Sequence, residues 1–193
     1  MTTTLSPASR THENVEVPLP GTYAIDASHT NVGFVVRHLM VSKTRGSFPS
    51  VTGSITIGDD PLDSSVEVEI DAAGVDTGDE KRDGHLRSPD FFDVEQFPAI
   101  SYRSTRVTPT VAGHFEVDGE LTVRGVTKPV QLHVTFEGAV TDPWGNIRGG
   151  FAASAEIDRE DFGLTWNQVL EGGGVLVGKK IAIEIETEAV LQA

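Results

Sequence analysis

Four stretches of the chain alternate apolar and polar residues with the period of two that sends successive side chains to opposite faces of a β-strand. Residues 29–38 put Val32, Phe34 and Val36 on one face and Asn31, Gly33 and Arg37 on the other, with Val35 the apolar exception on the polar side. In Val66-Glu67-Val68-Glu69-Ile70-Asp71 the separation is complete, every apolar residue facing one way and every acid the other. Val130-Gln131-Leu132-His133-Val134-Thr135-Phe136 and Ile181-Ala182-Ile183-Glu184-Ile185-Glu186 repeat the pattern. Strands of this kind are half-buried, with one face on a core and one in water.

Shorter strand candidates at residues 54–57, 100–103, 114–118, 120–124 and 150–157 bring the total to about eight to ten, enough to curl one antiparallel sheet into a closed barrel. The expected fold is all-β, an extended antiparallel β-barrel of about eight strands with one or two short helices. Closure removes the exposed edges that an open sheet would leave. Two segments break the alternation. Residues 79–94 mix charged and apolar residues at helical spacing, and Ser88-Pro89-Asp90 reads as a helix start, with Ser at the cap and Pro in the first turn. Residues 159–171 are expected to hold another helix, ended by Gly172-Gly173-Gly174. Residues 1–20, polar and closing on Pro18-Leu19-Pro20, read as a flexible arm, and the barrel domain as 21–193.

Composition narrows the function classes. With 29 acidic against 15 basic residues, a net charge of -14 repels phosphate backbones and anionic membrane surfaces, so nucleic acid is not an expected partner. The chain has no cysteine, which excludes disulfides, thiolate metal sites and a cysteine nucleophile. The first twenty residues carry no apolar run of signal-peptide length and no later stretch has the length and apolarity of a membrane span, so the chain as written is expected in the cytoplasm.

Candidate chemistry is sparse. None of the histidines pair at the His-x-x-x-His spacing of a helical metal site. Asp83, His85, Asp90 and Asp93 lie close in sequence, but Lys81, Arg82 and Arg87 among them make local ion pairing the simpler reading, and no metal is expected. There is no Gly-x-Ser-x-Gly elbow and no phosphate loop, and Gly172-Gly173-Gly174 before Gly178-Lys179-Lys180 reads as a hairpin turn. His29 and His38 flank the first long strand, where either serves a turn or a ligand's polar head. Phe91, Phe92 and Trp166 are candidates to plug or gate a barrel end.

Several ordered strings add a specific likeness. Asp26-Ala27-Ser28-His29-Thr30-Asn31-Val32-Gly33-Phe34 with His38, then Arg82-Asp83-Gly84-His85-Leu86-Arg87-Ser88-Pro89-Asp90-Phe91-Phe92-Asp93, Phe97-Pro98, the run from Gly119 to Val130, Asp142-Pro143-Trp144-Gly145, Gly149-Gly150-Phe151 and Asp161-Phe162-Gly163 together resemble the YceI-like family over about residues 21–190. The resemblance implies a lipocalin-like barrel, often a homodimer, that holds a polyisoprenoid, an isoprenoid quinone or a similar long-chain lipid, with no other cofactor. Many relatives are periplasmic. The family suggests no catalytic role for His85 or Asp83, so no enzyme activity is expected.

Under this reading the ligand lies against the apolar faces: Val32, Phe34, Val36, Val66, Val68, Ile70, Leu132, Val134, Phe136, Ile181, Ile183 and Ile185. His29, His38, His85, Phe91, Phe92 and Trp166 are placed at a mouth or head-group site. Each buried methylene contributes ~0.8 kcal/mol, so an isoprene unit contributes roughly 3–4 kcal/mol before ordering costs. Two other readings stand beside it. One is an enzyme acting on a lipid or small molecule through His85 with Asp83 or Asp90. The other is a solid barrel whose acidic face meets a basic partner.

Overall fold

The structure, a computed structural model, describes residues 8–39, 41–111, 113–171 and 173–193. Its strands are β1 (Ser9–His12), β2 (Val15–Pro18), β3 (Gly21–His38), β4 (Ser42–Phe48), β5 (Val51–Ile57), β6 (Ser65–Asp71), β7 (Ala99–Pro109), β8 (His114–Val123), β9 (Val126–Thr141), β10 (Ile147–Asp158) and β11 (Val177–Leu191). One helix, α1 (Glu80–Arg87), interrupts them between β6 and β7.

Pairing runs β11-β10-β9-β8-β7-β6-β5-β3, all antiparallel, and β11 pairs back onto β3. The sheet therefore closes into the expected barrel of eight strands. β4 is the ninth member. It pairs with the last part of β3, Val32 opposite Phe48, while β5 pairs with its first part, Gly21 opposite Ile57. The two segments thus follow one line along β3, broken at Pro49-Ser50. The long strands are built as the alternation requires. Along β9, Val130, Leu132, Val134 and Phe136 point inward and Gln131 and His133 outward. The candidates at 114–118 and 120–124 merge into β8, because Gly119 continues the strand instead of breaking it. A Cβ there would stand 2.4 Å from the Tyr102 ring, so only glycine lets that ring pack. Tyr102 in turn donates its hydroxyl to the carbonyls of Val117 and Val130.

Two tight hairpin turns place both central residues at positive φ, the requirement of a type I′ turn whose twist matches the strands. They are Arg124-Gly125 between β8 and β9 and Glu13-Asn14 between β1 and β2. The second corrects the expectation of a flexible arm over its described part. Residues 9–18 form a hairpin beside β9, with Val17 2% exposed, and Arg10 donates to the carbonyls of Gly58 and Asp59. Val17 and Pro18 are apolar residues with an interior to cover, and this burial outweighs the polar composition around them.

Helix placement also differs from expectation. α1 is capped by Asp79, whose side chain accepts from the Arg82 amide, and Ser88 ends the helix rather than starting one. The helix expected over 159–171 is a single 3-10 turn, Arg159–Phe162, stopped by Gly163 at φ 77. Of the glycine turn expected to end it, Gly172 lies outside the described residues.

Candidate functional site

Strand directions sort the loops into two barrel ends. One end carries the β1–β2 hairpin, the 3-10 turn Pro61–Asp63 after β5, and the β9–β10 turn. The other carries α1 with its following turn, the Arg124-Gly125 turn and the segment between β10 and β11. A cavity of about 290 Å³ occupies the interior, its wall reaching from Val17, Pro18 and Ile57 at the first end to Leu86, Phe91, Phe92, Phe162 and Leu164 at the second. That volume is at the low end of pockets that enclose small organic ligands, ~300–1,000 Å³.

The wall is almost entirely apolar. All twelve positions assigned to the inner faces line it: Val32, Phe34, Val36, Val66, Val68, Ile70, Leu132, Val134, Phe136, Ile181, Ile183 and Ile185. Phe91 and Phe92 join them from the turn after α1. Among the described residues its polar side chains are Thr30, Ser64, Ser65, Tyr102, Thr187 and Arg159, and no carboxylate or imidazole reaches it. The wall therefore offers no acid–base pair to a bound molecule, and its chief interaction is apolar burial.

The remaining mouth candidates, His29, His38, His85 and Trp166, are absent from the cavity wall, for identifiable reasons. His29 belongs to a bulge. Between the pairs Ile25–Ala189 and Thr30–Thr187, β3 has four intervening residues against one on β11, so residues 26–29 loop outward. There His29 Nδ1 lies 2.9 Å from Asp26, and Arg148 bonds the same carboxyl at 2.7 Å. Arg148 also bonds Asp142 at 3.0 Å. The Arg148 guanidinium and the hydroxyl of Ser28 hold the Asp26 carboxyl well below the usual carboxylate range. Bonds from Asn146 hold Asp142 down to about 2. This cluster joins β3, β10 and the β9–β10 turn on the outer surface.

His38 ends β3 opposite Ser42 and Val177 and is absent from the cavity wall. His85 and Trp166 form a layer outside Phe91. The imidazole packs edge-on against Trp166 at 4.6 Å and Phe91 at 5.1 Å, and Nε2 lies 2.8 Å from Asp90. Asp83, 6% exposed, accepts from the Thr77 amide and hydroxyl, and Asp93 accepts from Gln96. The four residues weighed as a cluster are thus spent on three separate local contacts. Arg82 bonds Thr77 and Arg87 bonds the carbonyls of Ala73 and Val75, fastening α1 to the chain that leaves β6. Arg124 then reaches the carbonyls of Pro89 and Gly163, tying both capping segments together over this end.

The chain matches the YceI-like domain profile over residues 23–189. It belongs to the YceI-like family. Curated relatives carry the name UPF0312 protein. One from Photorhabdus laumondii is 38% identical over 82% of this chain and 79% of its own length. One from Staphylococcus aureus is 34% identical over 86% of this chain and 95% of its own. Among solved structures, the YCEI protein of Campylobacter jejuni matches with a TM-score of 0.69 at 27% identity, covering 87% of this chain and 96% of that one. BcnA of Burkholderia cenocepacia matches with a TM-score of 0.75 at 20% identity, over 86% of this chain and 99% of that one. A polyisoprenoid binding domain from Saccharophagus degradans matches at 0.67 and 15% identity, over 88% and 98%. These last two likenesses show the shared fold.

Sequence reasoning on this YceI-like protein missed one cavity residue of a different character. Arg159 lines the wall and is 4% exposed. It sits in Asp158-Arg159-Glu160-Asp161, which reads as a solvated charge run. The signal was parity: Phe151, Ala153 and Ile157 face inward along β10, and Arg159 is the next residue in that series.

Proposed function

We propose that this YceI-like protein binds and carries a long-chain apolar lipid, a polyisoprenoid or a molecule of similar shape, inside its barrel. The observation that carries the reading is the interior itself, an apolar cavity whose wall runs from one barrel end to the other and is lined by aliphatic and aromatic side chains from strands all around the barrel. A dry apolar cavity suits a chain with no polar atoms to satisfy. Three or four isoprene units at ~3–4 kcal/mol each exceed the several kcal/mol of lost freedom and leave binding in the micromolar range or tighter. The polyisoprenoid binding domain from Saccharophagus degradans, which shares the fold, agrees with it. Binding rather than catalysis is the reading favoured by the wall, since His85, Asp83 and Asp90 stand outside it. Among the described residues, no helix is long and apolar enough to cross a membrane.

Native mass spectrometry of protein purified without detergent, followed by solvent extraction, tests the proposal. A stoichiometric long-chain lipid released by the solvent is the expected result. A clean protein mass that also takes up no added prenyl lipid overturns it.

A further inference from the structure

Arg159 is the one charged side chain on the cavity wall among the described residues. Its Nε donates to the carbonyl of Gly178 at 2.9 Å and its Nη1 to the carbonyl of Leu164. Its Nη2 is buried with no hydrogen-bond partner among the described residues. The carboxylates adjacent in sequence are engaged elsewhere: Asp158 accepts from the Glu160 amide, and Glu160 pairs with Lys179 at 2.6 Å. Burial alone disfavours the cation, while Glu160 and Asp158 offset part of that penalty.

A buried guanidinium with an idle N–H and no bonded anion is costly unless something completes it. A water molecule is a poor candidate, because a buried water needs about two to four polar partners. Ile157 and Phe162, near it in the chain, and Leu164 and Val177, at or beside the carbonyls it bonds, are all apolar residues of the wall. Of the other polar side chains on the wall, Ser64 and Ser65 lie at the turn following β5 at the other barrel end, Thr30 and Thr187 bond each other, and Tyr102 donates to the carbonyls of Val117 and Val130. The group that fits is an oxygen on the cavity's own ligand. An anionic oxygen fits better than a neutral one, since it supplies both the acceptor and the missing counter-charge.

We infer that Arg159 is a head-group receptor, and that the lipid taken up is a single-chain amphiphile ending in an anionic oxygen, carboxylate or phosphate. Its head lies at the α1 end beside Leu164, and its tail runs toward Val17 and Pro18. This rests on the lipid-binding reading above and adds to it a ligand polarity and a direction.

The test compares ligands matched in chain and differing in head: hexadecanoic acid against hexadecanol, and geranylgeranyl phosphate against geranylgeraniol, titrated into the full chain at neutral pH. The anionic member of at least one pair is expected to bind about tenfold tighter or more, and which pair shows the larger preference separates a carboxylate from a phosphate source. Arg159→Gln should erase the preference while leaving alcohol binding in place. Should that variant fail to fold, orientation is read without it. In a Trp144→Phe background the remaining Trp166, which packs against the cavity residue Phe91 at 5.4 Å, serves as reporter. Hexadecanoic acid brominated beside its carboxylate should quench Trp166 strongly, and the same acid brominated at the far methyl end should quench it weakly. Equal affinity within both pairs, or stronger quenching by the far-end bromine, overturns the role of Arg159 while leaving lipid binding intact. Failure of all four ligands to bind overturns the lipid-binding reading itself.

Discussion

Ala153→Trp places a large ring in the middle of the cavity and separates a ligand channel from an ordinary core. Ala153 lies midway along β10, opposite Val134 on one side and Ile185 on the other, and all three line the wall. In a tightly packed interior an insertion of this size forces off-rotamer side chains and costs ~1–3 kcal/mol or more. Here the indole has a cavity of about 290 Å³ to enter. The expected change in unfolding free energy is therefore below ~1 kcal/mol, the low side of what overpacking costs. Ligand binding bears the effect instead. Displacing even one isoprene unit removes ~3–4 kcal/mol of apolar burial, which at 1.4 kcal/mol per decade weakens binding roughly 300-fold. Urea denaturation gives the stability term, and titration with geranylgeraniol and a shorter prenol gives the binding term. The long ligand should lose more than the short one, because a mid-barrel block spares whichever part of the tail lies before it. A variant destabilised by several kcal/mol that binds both prenols as the parent does would refute the placement of the ligand in the interior.

Other outcomes follow from the contacts around the barrel. Gly119→Ala pushes a methyl group to 2.4 Å from the Tyr102 ring and should cost ~1–3 kcal/mol by overpacking, seen as a lower urea midpoint. Asp83→Ala leaves the Thr77 amide and hydroxyl without their acceptor, for a loss of ~1–3 kcal/mol, and an unchanged midpoint would show that the tie is not needed to hold α1. The surface cluster makes stability depend on acid. Asp142 is held at about 2 against an ordinary 3.8, and Asp26 is lowered too, so their contribution is fully present above pH 4 and is lost as pH falls toward the folded values. Arg148→Gln removes a bond from both carboxylates and should move the acid-unfolding midpoint, followed by circular dichroism, to higher pH. An identical acid transition would remove the cluster from the account of stability.

Much of this protein was legible one strand at a time. Glu67 and Glu69 between Val66, Val68 and Ile70 dictate which side of β6 faces inward, because a strand's period of two is local geometry and requires no partner. The same holds for β9 and β11, and the inner faces read from them coincide with the cavity wall. What the tertiary structure decided lies at the barrel ends and in the bulges, where position depends on contacts distant in sequence. His29 reads as a strand residue until the pairing of β3 with β11 shows four residues of β3 bulging around Asp26 and Arg148. Ser88-Pro89 carries the chemistry of a helix start, yet Asp79 takes the cap and Ser88 closes the helix, because Phe91 and Phe92 must turn back onto the barrel mouth. Val17 reads as part of a polar arm until an open end of the barrel gives it apolar surface to cover. Arg159 looks solvated among its acidic neighbours, and only the closed barrel removes it from water, since burial is a property of everything packed around a side chain and not of the residues beside it in sequence.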